Sequence, residues 1–174
     1  MPREMVVVPY DDNWTSLYEV EKEILLKVFV NLVLDIQHFG STSIGGMSAK
    51  PIIDVMVIVN EIESVDAYND IMIASGYSIR GENGIPRRRY FVRFKEDGEN
   101  HGAHIHIYEK GNPLIADQLM FRDFLSVDKD SFREYKKVKL EAAEKFRFSP
   151  KEYTDAKYDC VMKIMEKAKK YYLG

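Results

Sequence analysis

The run Ile52-Ile53-Asp54-Val55-Met56-Val57-Ile58-Val59 is apolar at every position but one, and six of its residues are β-branched. A strand wetted on one side alternates polar with apolar residues. A continuous apolar run is instead the pattern of a central strand covered on both faces, so this segment commits the chain to a layered sheet. Its single charge is Asp54. A carboxylate is costly to bury unless it is paired or bound to a metal. The sequence offers Lys50, Arg89 or a helix-capping N–H as structural partners, and a metal as the chemical alternative. Side chains at 52, 54 and 56 share one strand face. Met56 is apolar, so there is no second acid two residues on.

The 174 residues fit one domain that can bury a core unaided. Apolar residues at 45% and charged residues at 30% exclude a disordered or fibrous chain. The net charge of −3 and pI of about 5.9 give no global attraction to nucleic acid. One cysteine, Cys160, cannot form an internal disulfide, which suits a cytoplasmic location. The start, Met1-Pro2-Arg3-Glu4, leads into no long apolar run, and no segment has the length of a membrane span; the chain reads as unexported.

Met5 to Val8 is a short β-rich run. Asp11-Asp12-Asn13 offers N-caps for a helix through about Asn31, with apolar residues at 14, 17, 20, 24, 25 and 28. Val33 to Ile36 predicts a strand. Ser64 predicts the cap of a helix burying Val65, Tyr68, Met72 and Ala74, with Gly76 as its C-terminal glycine. Tyr77 to Arg80 predicts a short strand, and Arg89 to Lys95 with Ala103 to Tyr108 a hairpin. Three helices follow, near 114–125, 130–147 and 154–172. Thus the sheet-containing core spans about 1–112 and a helical part about 113–174. Leu119, Phe121, Phe124 and Leu125 form an apolar surface expected to pack inward rather than face a partner.

Between the two early strands lies Gly40-Ser41-Thr42-Ser43-Ile44-Gly45. It begins like a phosphate-gripping P-loop, but Gly46 stands where lysine is needed and Met47 where Ser or Thr is needed. What remains is a polar turn that can offer backbone N–H groups and the Ser41 and Thr42 hydroxyls to a phosphate, or simply bond to itself. His38 precedes it as a base or a turn-stabilising residue, the latter preferred.

His104-Ile105-His106 alternates, so both imidazoles project to one face of a strand. If that strand adjoins the Asp54 strand, Asp54, His104 and His106 make a two-histidine, one-carboxylate metal site; otherwise the histidines are a solvated pair. His101 reads as a loop residue. Arg87, Arg89, Arg93 and Lys95 fall on one face of the other hairpin strand. There they either line a phosphate cleft next to the histidines or form a solvated edge.

With these residues noted, the chain resembles the GrpB-like family of the nucleotidyltransferase superfamily. The resemblance rests on Val8 to Trp14, His38 to Asp54, His104-Ile105-His106, Gln118 to Leu125 and Tyr153 to Lys157. It implies an α/β (α+β) fold, with a mixed, mainly antiparallel sheet backed by helices and a C-terminal helical segment. It also implies that Gly40 and Ser41 hold nucleotide phosphates, that Asp54 is the first metal-binding acid, and that His104 or His106 stands where a later acid usually comes. Met56 occupies the second acid's usual place, and Gly45-Gly46 replaces a more usual proline-glycine. Family members are sometimes joined to a dephospho-coenzyme A kinase domain.

The function expected is transfer of a nucleotidyl group, or action on a related phosphate-bearing small molecule. Asp54, His104 and His106 would hold a divalent ion, Mg²⁺ or Mn²⁺ before Zn²⁺. Gly40, Ser41 and Thr42 would position phosphates, and Lys50, Arg89 and Arg93 would neutralise charge. The alternative is a non-catalytic nucleotide or coenzyme binding module that has lost its second acid. A metal-dependent hydrolase or oxygen-using enzyme rests on ligand types alone. Nucleic acid is not an expected partner, because no recognition motif accompanies the basic run.

Overall fold

The computed structural model describes residues 4–174, so the reading of Met1 to Arg3 lies outside the described residues. Helix α1 (Asn13–Val28) is followed by β1 (Val33–Phe39), a 3₁₀ turn (Ser41–Ser43) and β2 (Ile53–Val59). A 3₁₀ segment (Ile62–Tyr68) leads into α2 (Asn69–Ala74), then β3 (Tyr77–Ile79), β4 (Arg88–Phe94) and β5 (His101–Glu109). Helices α3 (Pro113–Val127), α4 (Lys129–Lys145) and α5 (Pro150–Leu173) complete the chain. The fold is α+β, with one mixed, mainly antiparallel sheet of order β1-β2-β5-β4-β3 in which only β2 and β5 run parallel.

The residues form two compact units. One comprises 12–39 and 52–115 and contains the whole sheet; the other comprises the residues up to 11, 40–51 and 116–174. In the sheet unit, β2 has neighbours on both sides and Val55, Met56 and Val57 are fully buried, as its apolar run requires. Helix α1 packs on the face bearing the odd-numbered residues of β2 and β5, where Tyr18 stacks on His38 at 4.7 Å and 8°. In the helical unit, Phe124, Leu125, Tyr135, Ile164 and Ala168 surround Ile44 and Met47, while Met5, Ala142, Ala143 and Tyr153 form a second cluster. Of the apolar face expected on 119–125, Phe121, Phe124 and Leu125 are thus covered within their own unit.

Local differences from the sequence reading have simple causes. The β-rich run near the start makes a single antiparallel bridge, Val8 to Ala49. Asp12 already has helical dihedrals, so its side chain caps nothing, and α1 ends at Val28 rather than near Asn31. Ser64 lies inside the 3₁₀ segment instead of capping a helix. In a 3₁₀ turn residues three apart eclipse, which puts Ile62 and Val65 together in the core; Ala74, the last residue of α2, is exposed. Gly76 follows α2 with φ +91°, the left-handed conformation expected of a helix-terminating glycine.

Candidate functional site

Parallel pairing of β2 with β5 sets Asp54 opposite His104 and Met56 opposite His106. Side chains of paired residues share a sheet face, so one acid and two imidazoles meet there. His106 Nε2 lies 3.3 Å and His104 Nδ1 3.5 Å from the same carboxylate oxygen, Asp54 Oδ1. Phe39 packs edge-on against His106, with ring centres 4.9 Å apart, and Tyr90 lies against both histidines. The side chains are 27% exposed for Asp54, 18% for His104 and 14% for His106, so the group is sheltered yet reachable.

Burial pushes the Asp54 carboxyl upward, but hydrogen bonds from His104 and His106 outweigh it and hold the group well below the usual carboxylate range. Burial pushes His106 down, and the neighbouring Arg88 and His104 act in the same direction against Asp54. The acid is therefore charged, the state that metal ligation needs, and His106 is biased toward the neutral imidazole.

The donor set also fits a metal in geometry. One ligand atom from each of Asp54, His104 and His106 lies within 4.8 Å of the other two. Ligands at about 2.0–2.1 Å from a tetrahedral ion sit about 3.4 Å from one another. Both imidazole-to-carboxylate distances, 3.3 and 3.5 Å, are close to that edge.

Two contributors were not foreseen from the sequence. Arg88, 5% exposed, reaches His106 Nδ1 through Nη1 at 3.3 Å. His101 Nδ1 lies 2.8 Å from His104 Nε2. Sequence parity puts His101 on the opposite face from His104. The ladder passes from Arg93↔Ala103 to Phe94↔His101, leaving Gly102 as an extra residue, and this bulge returns His101 to the histidine side.

The expectation that Arg89 and Arg93 line a cleft next to the histidines is corrected by the register. Tyr90 pairs with His106 and Val92 with His104, so the even-numbered residues of β4 share the histidine face and the odd-numbered arginines point away. Arg89 is taken up by Asp66, in a two-pronged contact at 2.6 and 2.9 Å. Arg93 Nε lies 2.9 Å from Glu21 Oε1, and its guanidinium stacks over the Tyr77 ring at 4.2 Å. His38, opposite Val55, also faces α1, which removes it as a candidate base for this cluster.

The remaining candidates belong to the helical unit. Gly40 has φ 69° and ψ −176°, a region open essentially to glycine alone, and starts the 3₁₀ turn. That turn is closed by the N–H groups of Ser43 and Ile44, which donate to Gly40 O and Ser41 O. Thr42 is only 2% exposed, whereas Ser41 is half-buried. Lys50 is half-buried, with Nζ 5.5 Å from the centre of the Tyr153 ring; Lys157 approaches the same ring at 4.2 Å.

Comparison with known proteins finds a match over residues 4–167 to the family described as GrpB protein. The UPF0157 protein YqkA of Bacillus subtilis (strain 168) is 38% identical over 172 residues. That alignment takes in 99% of this chain and 49% of YqkA, so the chain spans about half the length of that relative. The glutamate-rich protein GrpB of Alkalihalophilus pseudofirmus is 32% identical, over 93% of this chain and 94% of that protein. The crystal structure of the conserved protein GrpB from Enterococcus faecalis superposes with a TM-score of 0.90 at 33% identity, covering 97% of this chain and all of that one. Among the described residues, no helix is long and apolar enough to cross a membrane.

Proposed function

Because the chain belongs to the GrpB family, we propose that it is a divalent-metal enzyme acting on a nucleotide or similar phosphate-bearing small molecule, with nucleotidyl transfer as its reaction class. The observation that carries this reading is the convergence of Asp54, His104 and His106 on one sheltered face of the sheet. Asp54 and at least one of the two imidazoles would hold the ion. When bound, it would offset negative charge developing on the transferring phosphate. Asp54, charged across the neutral range, supplies the anionic ligand; the imidazoles add neutral donors and shelter the centre from bulk water. Within the other unit, the backbone of Gly40 and Ser41 and the ammonium of Lys50 are the groups suited to phosphate oxygens.

A second reading, a nucleotide or coenzyme binding module without turnover, draws support from Met56. It fills the usual place of a second acid and is fully buried, so this position contributes no second metal-binding carboxylate. The two readings separate experimentally. Calorimetric titration of chelator-treated protein with Mn²⁺, Mg²⁺ and Zn²⁺, with and without nucleoside triphosphates, is expected to show binding that Asp54→Asn weakens by at least about a hundredfold. Binding indifferent to Asp54 would overturn the metal centre. Mass spectrometry of mixed triphosphates and acceptors then decides turnover, since repeated product formation excludes the pure binding module.

A further inference from the structure

The two histidines beside Asp54 differ in what their far nitrogens meet. A neutral imidazole has one N–H and one lone pair, and a guanidinium can only donate. Arg88 Nη1 lies 3.3 Å from His106 Nδ1, so this nitrogen must offer its lone pair. The ring's proton is thereby left on Nε2, the atom 3.3 Å from Asp54 Oδ1. A metal on His106 would require the reverse, a free Nε2 lone pair and an N–H at Nδ1 aimed at another donor. His104 has no such conflict. Its Nε2 faces His101 Nδ1 at 2.8 Å, and that nitrogen can accept an N–H from His104, so the proton that Nδ1 offers Asp54 in the metal-free site can be carried on Nε2 instead, releasing the Nδ1 lone pair to a metal. Such an outward N–H partner is what metal-bound histidines ordinarily possess.

Arg88 is not free to step aside at small cost. Its Nε donates to Glu82 O at 3.2 Å and its Nη2 to Asn83 O at 3.0 Å, and its guanidinium lies 4.6 Å from the centre of the Tyr90 ring. Asn83 itself is held at φ 46°, in the turn that presents these carbonyls.

Building on the metal-centre reading above, we propose that Arg88 is a positioning residue that fixes His106 as the Nε2–H tautomer, so that Asp54 and His104 carry the metal while His106 remains a hydrogen-bond donor to Asp54. One imidazole and one carboxylate make a harder donor set than two imidazoles and a carboxylate. The advantage of Zn²⁺ over Mn²⁺ and Mg²⁺ is therefore smaller in the native protein than a second imidazole ligand would make it.

The test begins with the unliganded wild-type protein. Imidazole ¹⁵N NMR should show His106 as the Nε2–H tautomer; an Nδ1–H tautomer overturns the proposal whether or not any metal binds. Titrations with Mn²⁺ and Zn²⁺ alone follow. His104→Ala should lower affinity by more than about tenfold, while His106→Ala leaves it within about threefold. Equal losses in the two variants would make both histidines ligands and overturn the proposal. Arg88→Met should raise Zn²⁺ affinity by about tenfold or more, and the gain should vanish in Arg88→Met/His106→Ala. A gain that persists in the double variant would reflect charge removal alone and overturn the tautomer role, as would no gain. Should no variant or wild-type protein bind metal, the metal-centre reading falls, while the NMR result still decides what Arg88 does.

Discussion

Replacing Glu21 by Met tests whether Arg93 is a structural cation rather than a phosphate ligand. Glu21 lies on α1 and is 7% exposed; its carboxylate receives the Tyr77 hydroxyl and faces Arg93 Nε at 2.9 Å. Removing one partner of a buried ion pair costs about 3–5 kcal/mol, because the other charge is left without compensation. Two features reduce that figure here. The Arg93 side chain keeps 25% exposure, and its Nε and Nη2 make no aligned hydrogen bond despite the short approach. A cost of about 2–3 kcal/mol is therefore expected. In a chain of this size that corresponds to a drop in Tm of about 4–12 °C. Glu21→Met/Arg93→Met, which removes both charges, should recover at least half of the loss. Urea unfolding of the four proteins completes the cycle. A Glu21→Met cost under about 0.5 kcal/mol, or a double variant costing the sum of the two singles, would refute the buried-pair reasoning. A folded Arg93→Met protein that loses Asp54-dependent metal or nucleotide binding would refute the assignment of Arg93 to the opposite face.

Three further outcomes follow from the same geometry. His38→Leu should leave metal affinity within about twofold and cost about 0.5–1.5 kcal/mol of stability, because His38 stacks on Tyr18 across the sheet from Asp54; calorimetric titration and urea unfolding check both. Gly76→Ala should cost about 1–2 kcal/mol in chemical denaturation, since φ is +91° and a Cβ there would come within 3.1 Å of Arg93 Nη1. Asp97 is held down to about 2, below its ordinary 3.8, by the Asn100 side chain and the N–H groups of Asn100 and Glu99. Its folded-state value is depressed, so its contribution is present above 3.8 and lost as pH falls toward 2. Asp97→Asn should accordingly flatten the fall of Tm across that window, read by thermal unfolding at stepped pH.

The elements were legible where one periodicity dominated. The apolar run in β2 gave a central strand because burial on both faces leaves no polar residue to alternate with, and the solitary Asp54 then stood out by its cost. The His-x-His alternation likewise put two imidazoles on one face without any knowledge of what lay beside them. The parallel pairing that makes His104 the neighbour of Asp54 joins residues fifty apart, and it is set by the order of strands rather than by either segment.

The basic run shows where local pattern stops being informative. In β4, Tyr90, Phe91 and Val92 are all buried, so neither parity of the strand is marked as solvent-facing and the arginines could be assigned to either side. The choice is made by the hairpin's length and by the extra residue at Gly102, neither of which leaves a hydrophobic trace. A one-residue difference in register exchanges Arg89 for Arg88 beside the histidines. The exchange matters chemically. On the α1 face the arginines find Asp66 and Glu21 and become part of the fold, whereas Arg88 finds the lone pair of His106 and acts on the proton inventory of the site. The sequence thus exposes which groups can do chemistry; the backbone register decides which of them meet, and with what donor or acceptor facing the nitrogen that is left over.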